Sequence, residues 1–365
     1  MRILVANIPL PANRFLVDLN EALAEGVDLV HSHETFWAME GDFDVVHLHF
    51  PEYLTYEVER AYTDGMPEGL LDALEERLRF WSGRSALVVT RHVLLPHNAR
   101  DDPRWERLYG LVYRFADGVA HFANASIAEF RERYAATSFV RGEPFHAAIP
   151  HQNYASLPNT VSREEARRRL GIARGAQVML VFGAIRNDAE RQLVLETFRG
   201  LSTRKKFLLV SRWREKLADV SWIRLKYWIR DLTRLYHRLH PLYRFHYGFV
   251  EEEDTQLYLN AADILFIPRF HVLNSGNVTL GMTFGRVVVG PDSWDVGELL
   301  REMDNPTFDP DRPETAVGAV EQALRLAREN AVPEANRRRA LEEWTPRRCA
   351  EQYLDLYRRA MQRLG

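Results

Sequence analysis

The chain has one cysteine, Cys349, among 365 residues, so no disulfide can form within it. It has no apolar run near the roughly 18 residues that a membrane-spanning helix needs. Basic and acidic residues nearly balance, and the formal net charge is −3, so overall charge gives no reason to expect nucleic acid as a partner. These absences predict a cytoplasmic protein in a reducing compartment that binds no nucleic acid.

The chain is too long for one ordinary hydrophobic core, which predicts two domains. It begins with MRILVANIPL, whose short apolar stretch predicts a first strand rather than a secretion signal. Short apolar runs then alternate with segments of helical period, as in DVVHLHF, GLLDALEERLRFW and SALVVTRH. Such alternation is typical of parallel βαβ units.

The alternation breaks at Ala147–Ser162, where AAIPHQNYASLPNTVS shows no period. It then restarts with QVMLVFG, KKFLLVS, DILFIPR and RVVVGPD. We therefore predict an α/β fold with two Rossmann-like doubly wound parallel sheets, in domains 1–160 and 161–345. Ligands in such sheets bind where the strands end, so a cleft between two facing sheets is the expected site.

Polar residues follow several predicted strands of the first domain: His47, His49, Glu52, Arg91, His92, His97 and His151. Histidines and a carboxylate at strand ends predict a base or a ligand-contacting site. Because His47 and His49 share one strand face, one of them can instead be hydrogen-bonded in the core. A zinc site would need a tight ligand set, and neither the histidine spacing nor the single cysteine supports one, so no metal is predicted.

In the second half, VFGAIRNDAER ends a predicted strand at Gly183 and presents Arg186. Arg186 is either a solvated turn residue or a clamp for paired phosphate oxygens. The segment NSGN, Asn274–Asn277, opens a helix, and free N–H groups at a helix start either belong to an ordinary capped helix or hold an anion. Taken together, the two features predict a diphosphate site.

A segment of alternating basic and apolar positions, WIRLKYWIRDLTRLYHRLH, predicts an amphipathic helix that ends near Pro241. Its basic residues recur every four positions, at Lys226, Arg230, Arg234 and Arg238, while Leu225, Trp228, Ile229, Leu232, Leu235, Tyr236 and Leu239 fill the opposite face. We predict that this helix packs on its own sheet. The alternative is a docking face for anionic lipid or a polyanionic acceptor.

Over nearly its whole length the chain resembles the bacterial glycosyltransferases with two Rossmann-like domains, the GT-B type, that build exopolysaccharides and glycosylated metabolites. The resemblance rests on VVHLHFPE, VVTRHVLLPH, IPHQNY, RRRLGI, FGAIR, GFVEEEDTQLYLNAADILFIPR and NSGNVTLGMTFGRVVVGPD. It implies that the second domain binds a nucleotide diphosphate sugar and the first binds the acceptor. It also implies that the last helix, 346–365, crosses back to the first domain.

The resemblance also implies roles for single residues. The donor-binding residues would be Gly183, Arg186, Phe249, Val250, Arg269, Asn274, Ser275, Gly276, Asn277 and Thr279. On the acceptor side, His92, Glu52 or His97 would be catalytic, and His49 and His151 would bind the acceptor. No cofactor is expected beyond the donor, which is a co-substrate.

The chain departs from this family at three positions. Retaining members of the large family it resembles have a Glu-x7-Glu pair, whereas Val272 and Leu280 stand at those positions here. The usual lysine is also absent, with Ala189 near its place and Arg191 the nearest substitute. These departures favour inverting transfer. The expected acceptor is a hydroxyl of a saccharide, lipid-linked saccharide or metabolite, and peripheral contact at the cytoplasmic membrane face is expected. The alternatives are a nucleotide-sugar epimerase and a non-catalytic sugar-nucleotide-binding subunit.

Overall fold

A computed structural model of the chain describes residues 1–96, 102–214 and 223–364. Its contacts divide the chain into two compact units. The first unit comprises Met1–Gln152 together with Trp344–Gly365, and the second comprises Asn153–Glu343. The chain thus leaves the first unit once and returns to it for its last segment.

The first unit is built on a six-stranded sheet with the order β2-β1-β3-β4-β5-β6, in which every pairing is parallel. The strands are β1 (Arg2–Val5), β2 (Asp28–His31), β3 (Val45–Leu48), β4 (Ala86–Thr90), β5 (Gly118–His121) and β6 (Phe145–Ala148). Its helices are α1 (Arg14–Ala24), α2 (His33–Ala38), α3 (Tyr56–Asp64), α4 (Leu70–Ser82), α5 (Pro103–Arg114), α6 (Asn124–Arg133) and, at the end of the chain, α15 (Pro346–Met361). A short 3-10 turn covers Pro51–Tyr53.

Both faces of this sheet are buried, as the continuous apolar runs of its strands require. Successive residues of β3 enter opposite cores: Val45 belongs to the core that contains Tyr353 of α15, and Val46 to the core that contains Leu74 of α4. On the side of α15, the Tyr357 hydroxyl contacts His47 Nδ1 at 2.8 Å. The last helix of the chain is therefore part of the core of the first unit.

The second unit has a six-stranded parallel sheet with the order β12-β11-β10-β7-β8-β9. Its strands are β7 (Gln177–Ala184), β8 (Lys206–Arg212), β9 (Tyr243–Phe245), β10 (Ile264–Phe266), β11 (Val287–Pro291) and β12 (Thr307–Phe308). Its helices are α7 (Arg163–Leu170), α8 (Asp188–Gly200), α9 (Ile223–Leu239), α10 (Glu252–Ala261), α11 (Gly276–Thr283), α12 (Trp294–Glu302), α13 (Thr315–Glu329) and α14 (Ala331–Glu342). Numbered within the unit, this is the strand order of dinucleotide-binding folds, with its switch point between β7 and β10.

The predicted fold class is confirmed, since both sheets are parallel and flanked by helices. The sequence analysis missed β6, because Ala147 and Ala148 were assigned to the linker. It also missed α2, α3, α12, β12, α13 and α14.

Close packing of α11 on its sheet requires a glycine. A Cβ on Gly281 would lie 2.6 Å from Val288 Cγ2 and 2.9 Å from Leu265 Cδ2. These distances are well inside van der Waals contact, so any larger residue would push the helix off β10 and β11. Gly281 thereby sets how closely the start of α11 approaches the strand ends.

Helix α9 packs beside β9 of its own sheet, as predicted. Its contacts there include the ring of His237, which packs against Phe245 and Trp213 with centroids 4.6 and 5.9 Å apart. Most of its apolar face is exposed, with Trp228 at 62% and Leu239 at 73%. The side chains of Leu225 and Lys226 lie outside the described part of the structure. Among the described residues, no helix is both long and apolar enough to cross a bilayer.

Candidate functional site

The end of β7 is shaped by a glycine and a shift in strand register. The pairing of β7 with β8 is irregular between Val181 and Ala184, and Gly183 there has φ +89°, a conformation that side-chain-bearing residues rarely adopt. The Gly183 N–H donates to Ser211 Oγ of β8 at 2.8 Å. Pairing with β8 resumes after the irregularity at Ala184, opposite Arg212, and Arg186 follows two residues later.

Two arginines and one carboxylate meet at this strand end. Arg269, which follows β10, donates through Nη1 to Glu190 Oε2 and through Nη2 to the Ala184 carbonyl oxygen at 2.8 Å. The backbone N–H of Arg186 donates to the same Glu190 oxygen at 2.7 Å. We call Arg186, Arg269 and Glu190 the arginine cluster. It brings the predicted residues Arg186 and Arg269 together at the β7–β10 switch point.

The arginine cluster contains two guanidinium groups and one carboxylate, which pairs with the Arg269 guanidinium and the Arg186 backbone N–H. Partial desolvation lowers the pKa of Arg186 to about 10, with repulsion from Arg269 adding to this and attraction to Glu190 opposing it. Burial likewise lowers the pKa of Arg269, against the opposing effect of Glu190. Guanidinium groups stay protonated at neutral pH, so two of them beside one carboxylate are suited to an anion.

The start of α11 adjoins the arginine cluster through the end of β7. Asn277 Nδ2 donates to the Phe182 carbonyl oxygen at 2.8 Å, two residues before the carbonyl that Arg269 contacts. Ser275 occupies the N-cap position in an extended conformation, but its side chain makes no capping hydrogen bond. Asn274 and Gly276 flank it, and all four residues are partly exposed. First-turn N–H groups without a side-chain cap favour an anion in this place.

The other donor-binding residues that the resemblance implied lie further away or are buried. Phe249 is 61% exposed and follows β9 together with Val250, two strands from β7. Thr279 is only 2% exposed within α11. Their assignment to a donor site stays a prediction.

The residues that stand in place of the Glu-x7-Glu pair and the usual lysine also lie in the second unit. Val272 and Leu280 are buried apolar residues at 9% and 4% exposure. Ala189 is exposed in the first turn of α8, and Arg191 forms an ion pair with Asp188 of the same helix. Val272, Leu280 and Ala189 lack the charge of the residues they stand for, whereas Arg191 keeps a positive charge and pairs with Asp188.

In the first unit, polar residues collect where β1 and β3 end, which is the switch point of that sheet. Asn7, two residues after the end of β1, accepts the backbone N–H of His49 on Oδ1 at 2.8 Å and donates to the Phe50 carbonyl oxygen at 2.8 Å. His31 Nε2 contacts the Asn7 carbonyl oxygen at 3.0 Å. The sequence analysis missed Asn7, although a polar residue follows the first strand in RILVAN.

Three of the predicted histidines, His49, His92 and His151, surround the ring of Phe15, and we call them the histidine cluster. Their ring centroids lie 5.9, 5.1 and 4.7 Å from that of Phe15. His49 Nδ1 contacts His92 Nε2 at 3.2 Å, and His92 stacks on Phe50 at a centroid distance of 3.8 Å. His49 is fully buried, and its Nε2 has no hydrogen-bond partner among the described residues.

The histidine cluster is neutral at physiological pH. Burial, reinforced by the neighbouring histidines, holds the pKa of His49 and of His92 well below the usual 6.5. Burial also lowers the pKa of His151 to about 4, although a hydrogen bond from its ring to the Gln152 carbonyl opposes this. Neutral imidazoles can accept a proton, as a general base must.

His47 belongs to the core. The sequence analysis had left open that one of His47 and His49, which share a strand face, is hydrogen-bonded there. His47 is fully buried, and its two ring nitrogens contact Thr90 Oγ1 and the Tyr357 hydroxyl, each at 2.8 Å. Of the two remaining predicted bases, Glu52 is only 4% exposed and accepts a 2.5 Å hydrogen bond from the Tyr109 hydroxyl. His97 lies outside the described residues. Of the two described candidates, His92 is partly exposed and Glu52 is buried, so His92 is the better-placed base.

Within the described ranges, no three histidine, cysteine or acidic side chains are grouped as metal ligands would be.

No protein-family model matches the sequence, and no curated protein is similar to it. Solved structures are similar in fold. A sucrose-phosphate synthase from Thermosynechococcus elongatus has a TM-score of 0.69 and 16% identity, with 98% of each chain covered. HepE from Anabaena, solved with UDP-glucose, has a TM-score of 0.66 and 13% identity, with 97% of this chain and 98% of that one covered.

A third similar structure is the catalytic domain of starch synthase IV from Arabidopsis thaliana, with ADP and acarbose. Its TM-score is 0.55 and its identity 11%, with 97% of this chain and 79% of that one covered. At such identities the likeness shows the fold, and the chain has the GT-B fold of these glycosyltransferases.

Proposed function

We propose that the protein transfers a sugar from a nucleotide diphosphate sugar to a hydroxyl group. The observation that supports this most is the arginine cluster beside the uncapped start of α11, at the switch point of a dinucleotide-type sheet. Arg186 and Arg269 would bind the diphosphate, and the first N–H groups of α11 would complete its coordination. Stabilising the leaving diphosphate is the largest electrostatic requirement of this reaction.

The acceptor would bind at the histidine cluster of the first unit. His92 would take the proton of the attacking hydroxyl, since it is neutral at pH 7 and partly exposed. His49 and His151 would orient the acceptor or His92 itself. The acceptor class is a saccharide, a lipid-linked saccharide or a metabolite, as in polysaccharide biosynthesis. The protein would act in the cytoplasm, where peripheral contact with the membrane would give access to a lipid-linked acceptor.

We propose inversion of configuration at the sugar. A retaining enzyme of the resembled kind would place an acid at position 272, where this chain has a buried valine that neither donates nor accepts a proton. We also propose that transfer needs no metal, because the cluster's guanidinium groups would balance the diphosphate charge. Turnover that persists in excess chelator supports this, and turnover lost in chelator and restored by magnesium or manganese contradicts it.

A panel of nucleotide sugars, incubated with and without acceptors, tests the function. Release of nucleoside diphosphate that requires an acceptor supports transfer. Conversion of the donor without any acceptor would instead indicate an epimerase. Donor binding without turnover across a broad set of acceptors would indicate a non-catalytic subunit.

A further inference from the structure

Helix α9 exposes its apolar face, which most helices bury against the rest of the protein. Six large apolar residues on this one helix are exposed: Tyr227 (46%), Trp228 (62%), Leu232 (45%), Leu235 (48%), Tyr236 (57%) and Leu239 (73%). Large exposed apolar residues elsewhere in the described chain are scattered over both units. Concentrated exposure of this kind marks an interaction surface.

The helical period explains how these residues share one surface. His237 faces the sheet through its contacts with Trp213 and Phe245. At about 100° per residue, the exposed leucines and Trp228 fall roughly 160–220° around the helix from His237. The apolar face therefore points away from the protein's own core, and no described residue covers it.

The charge of α9 indicates what covers this face. The helix has five basic residues and one acidic residue, in a chain with a net charge of −3. On the side of α9 that faces β9 lies a cavity of about 490 Å³ lined by Arg234, Arg238 and Arg244, with one carboxylate, Asp231. Leu235 belongs to both the apolar face and the cavity lining. Arg238 lies about 100° around the helix from His237, so it flanks the apolar face.

We propose that α9 binds the surface of a bilayer containing anionic phospholipids, with its apolar face among the acyl chains and its arginines at the phosphates. Tyr227, Trp228 and Tyr236 are the residue types that favour the bilayer interface. The helix is 17 residues long, or about 25 Å, and an amphipathic helix of this kind lies in the plane of the interface. A second copy of the chain fits less well, because it would bring two strongly basic helices together.

Co-sedimentation with vesicles tests this proposal without donor or acceptor, so its outcome is independent of the proposed function. We expect binding to phosphatidylcholine vesicles with about 30 mol% phosphatidylglycerol, at least about tenfold tighter than to phosphatidylcholine alone, and weaker at high salt. The variant Trp228→Ser/Leu232→Ser/Leu239→Ser should lose at least about tenfold in affinity.

The matched control removes three exposed apolar residues from the first unit, Tyr56→Ser/Val140→Ser/Leu364→Ser, and should bind like the wild type. An unchanged circular dichroism melting curve shows that the α9 variant is folded. Failure of the wild type to bind anionic vesicles at low salt overturns the proposal, as does equal binding by the α9 variant. A dimer in analytical ultracentrifugation that the α9 substitutions convert to monomer also overturns it, since a second copy then covers the face.

Discussion

Glu190 and Arg269 form a buried ion pair at the carboxyl end of the second sheet, with side-chain exposures of 5% and 12%. The same Glu190 oxygen accepts the backbone N–H of Arg186 at 2.7 Å. One carboxylate thus fixes two arginines that follow neighbouring strands, β7 and β10. Glu190 is in turn positioned by Asn187, whose Oδ1 accepts the Glu190 N–H at 2.9 Å at the start of α8.

Breaking the Glu190–Arg269 ion pair should lower the free energy of unfolding. Glu190→Leu leaves the Arg269 charge buried without its partner, and we expect a loss of about 3–5 kcal/mol in the free energy of unfolding. The double variant Glu190→Leu/Arg269→Met removes both charges and should recover most of that loss. Urea unfolding measures both. As a control, Glu351→Ala breaks an exposed pair with Arg347 and should change stability by less than about 1 kcal/mol. A Glu190→Leu loss no larger than the control's would contradict this account.

His92 should matter for turnover and not for donor binding. His92→Ala removes the proposed base, and we expect turnover to fall by about a hundredfold to ten-thousandfold, with donor affinity unchanged in calorimetry. His271→Ala, at an exposed histidine of the second unit, is the control and should retain turnover. Turnover within about threefold of the wild type in His92→Ala would remove His92 from the role of base.

The stereochemistry of the product should show inversion. Because the resemblance aligns Val272 and Leu280 with the two glutamates of retaining enzymes, we predict that an α-linked donor gives a β-linked product. Proton NMR of the newly formed anomeric centre measures this directly. An α-linked product from an α-linked donor would leave His92 as an acceptor-binding residue at most.

His47 should make the protein less stable in mild acid. Burial lowers its pKa from 6.5 to about 3, so between these values the unfolded chain binds a proton that the folded chain does not. Stability therefore falls as the pH drops below 6.5, by about 1.4 kcal/mol per pH unit for this group. His47→Gln should flatten the dependence by that slope in urea unfolding between pH 6 and pH 4. An unchanged slope would show that His47 is not held neutral in the folded state.

The strand and helix pattern was predictable because parallel strands buried on both faces have continuous apolar runs. The sheet order was not, since it depends on which strands pair across long separations in sequence. Glu190 was missed because Asn187-x-x-Glu190 matches a helix-capping signature, which explains an acidic residue there without any site. Its contacts with Arg186 and Arg269 arise only when β7 and β10 become neighbours.

The packing of α9 could not be predicted from its period alone. Amphipathicity shows that the helix has two faces but not which one meets the sheet. Here His237 packs against the rings of Trp213 and Phe245, and the leucine face is exposed. In the first unit, the histidine cluster was predictable as a set of strand-end residues, whereas the burial of Glu52 against Tyr109 depends on how α5 packs.

The most direct test of the account is a calorimetric titration with a nucleoside diphosphate, chosen from UDP, GDP and ADP by thermal shift. If the arginine cluster binds the diphosphate, Arg186→Ala should weaken binding by roughly 1.5–3 kcal/mol, the cost of a lost charge-assisted hydrogen bond. The control Arg199→Ala removes an exposed arginine at the far end of α8 and should bind like the wild type. Equal affinity of Arg186→Ala and Arg199→Ala would contradict the assignment of the donor site to the arginine cluster.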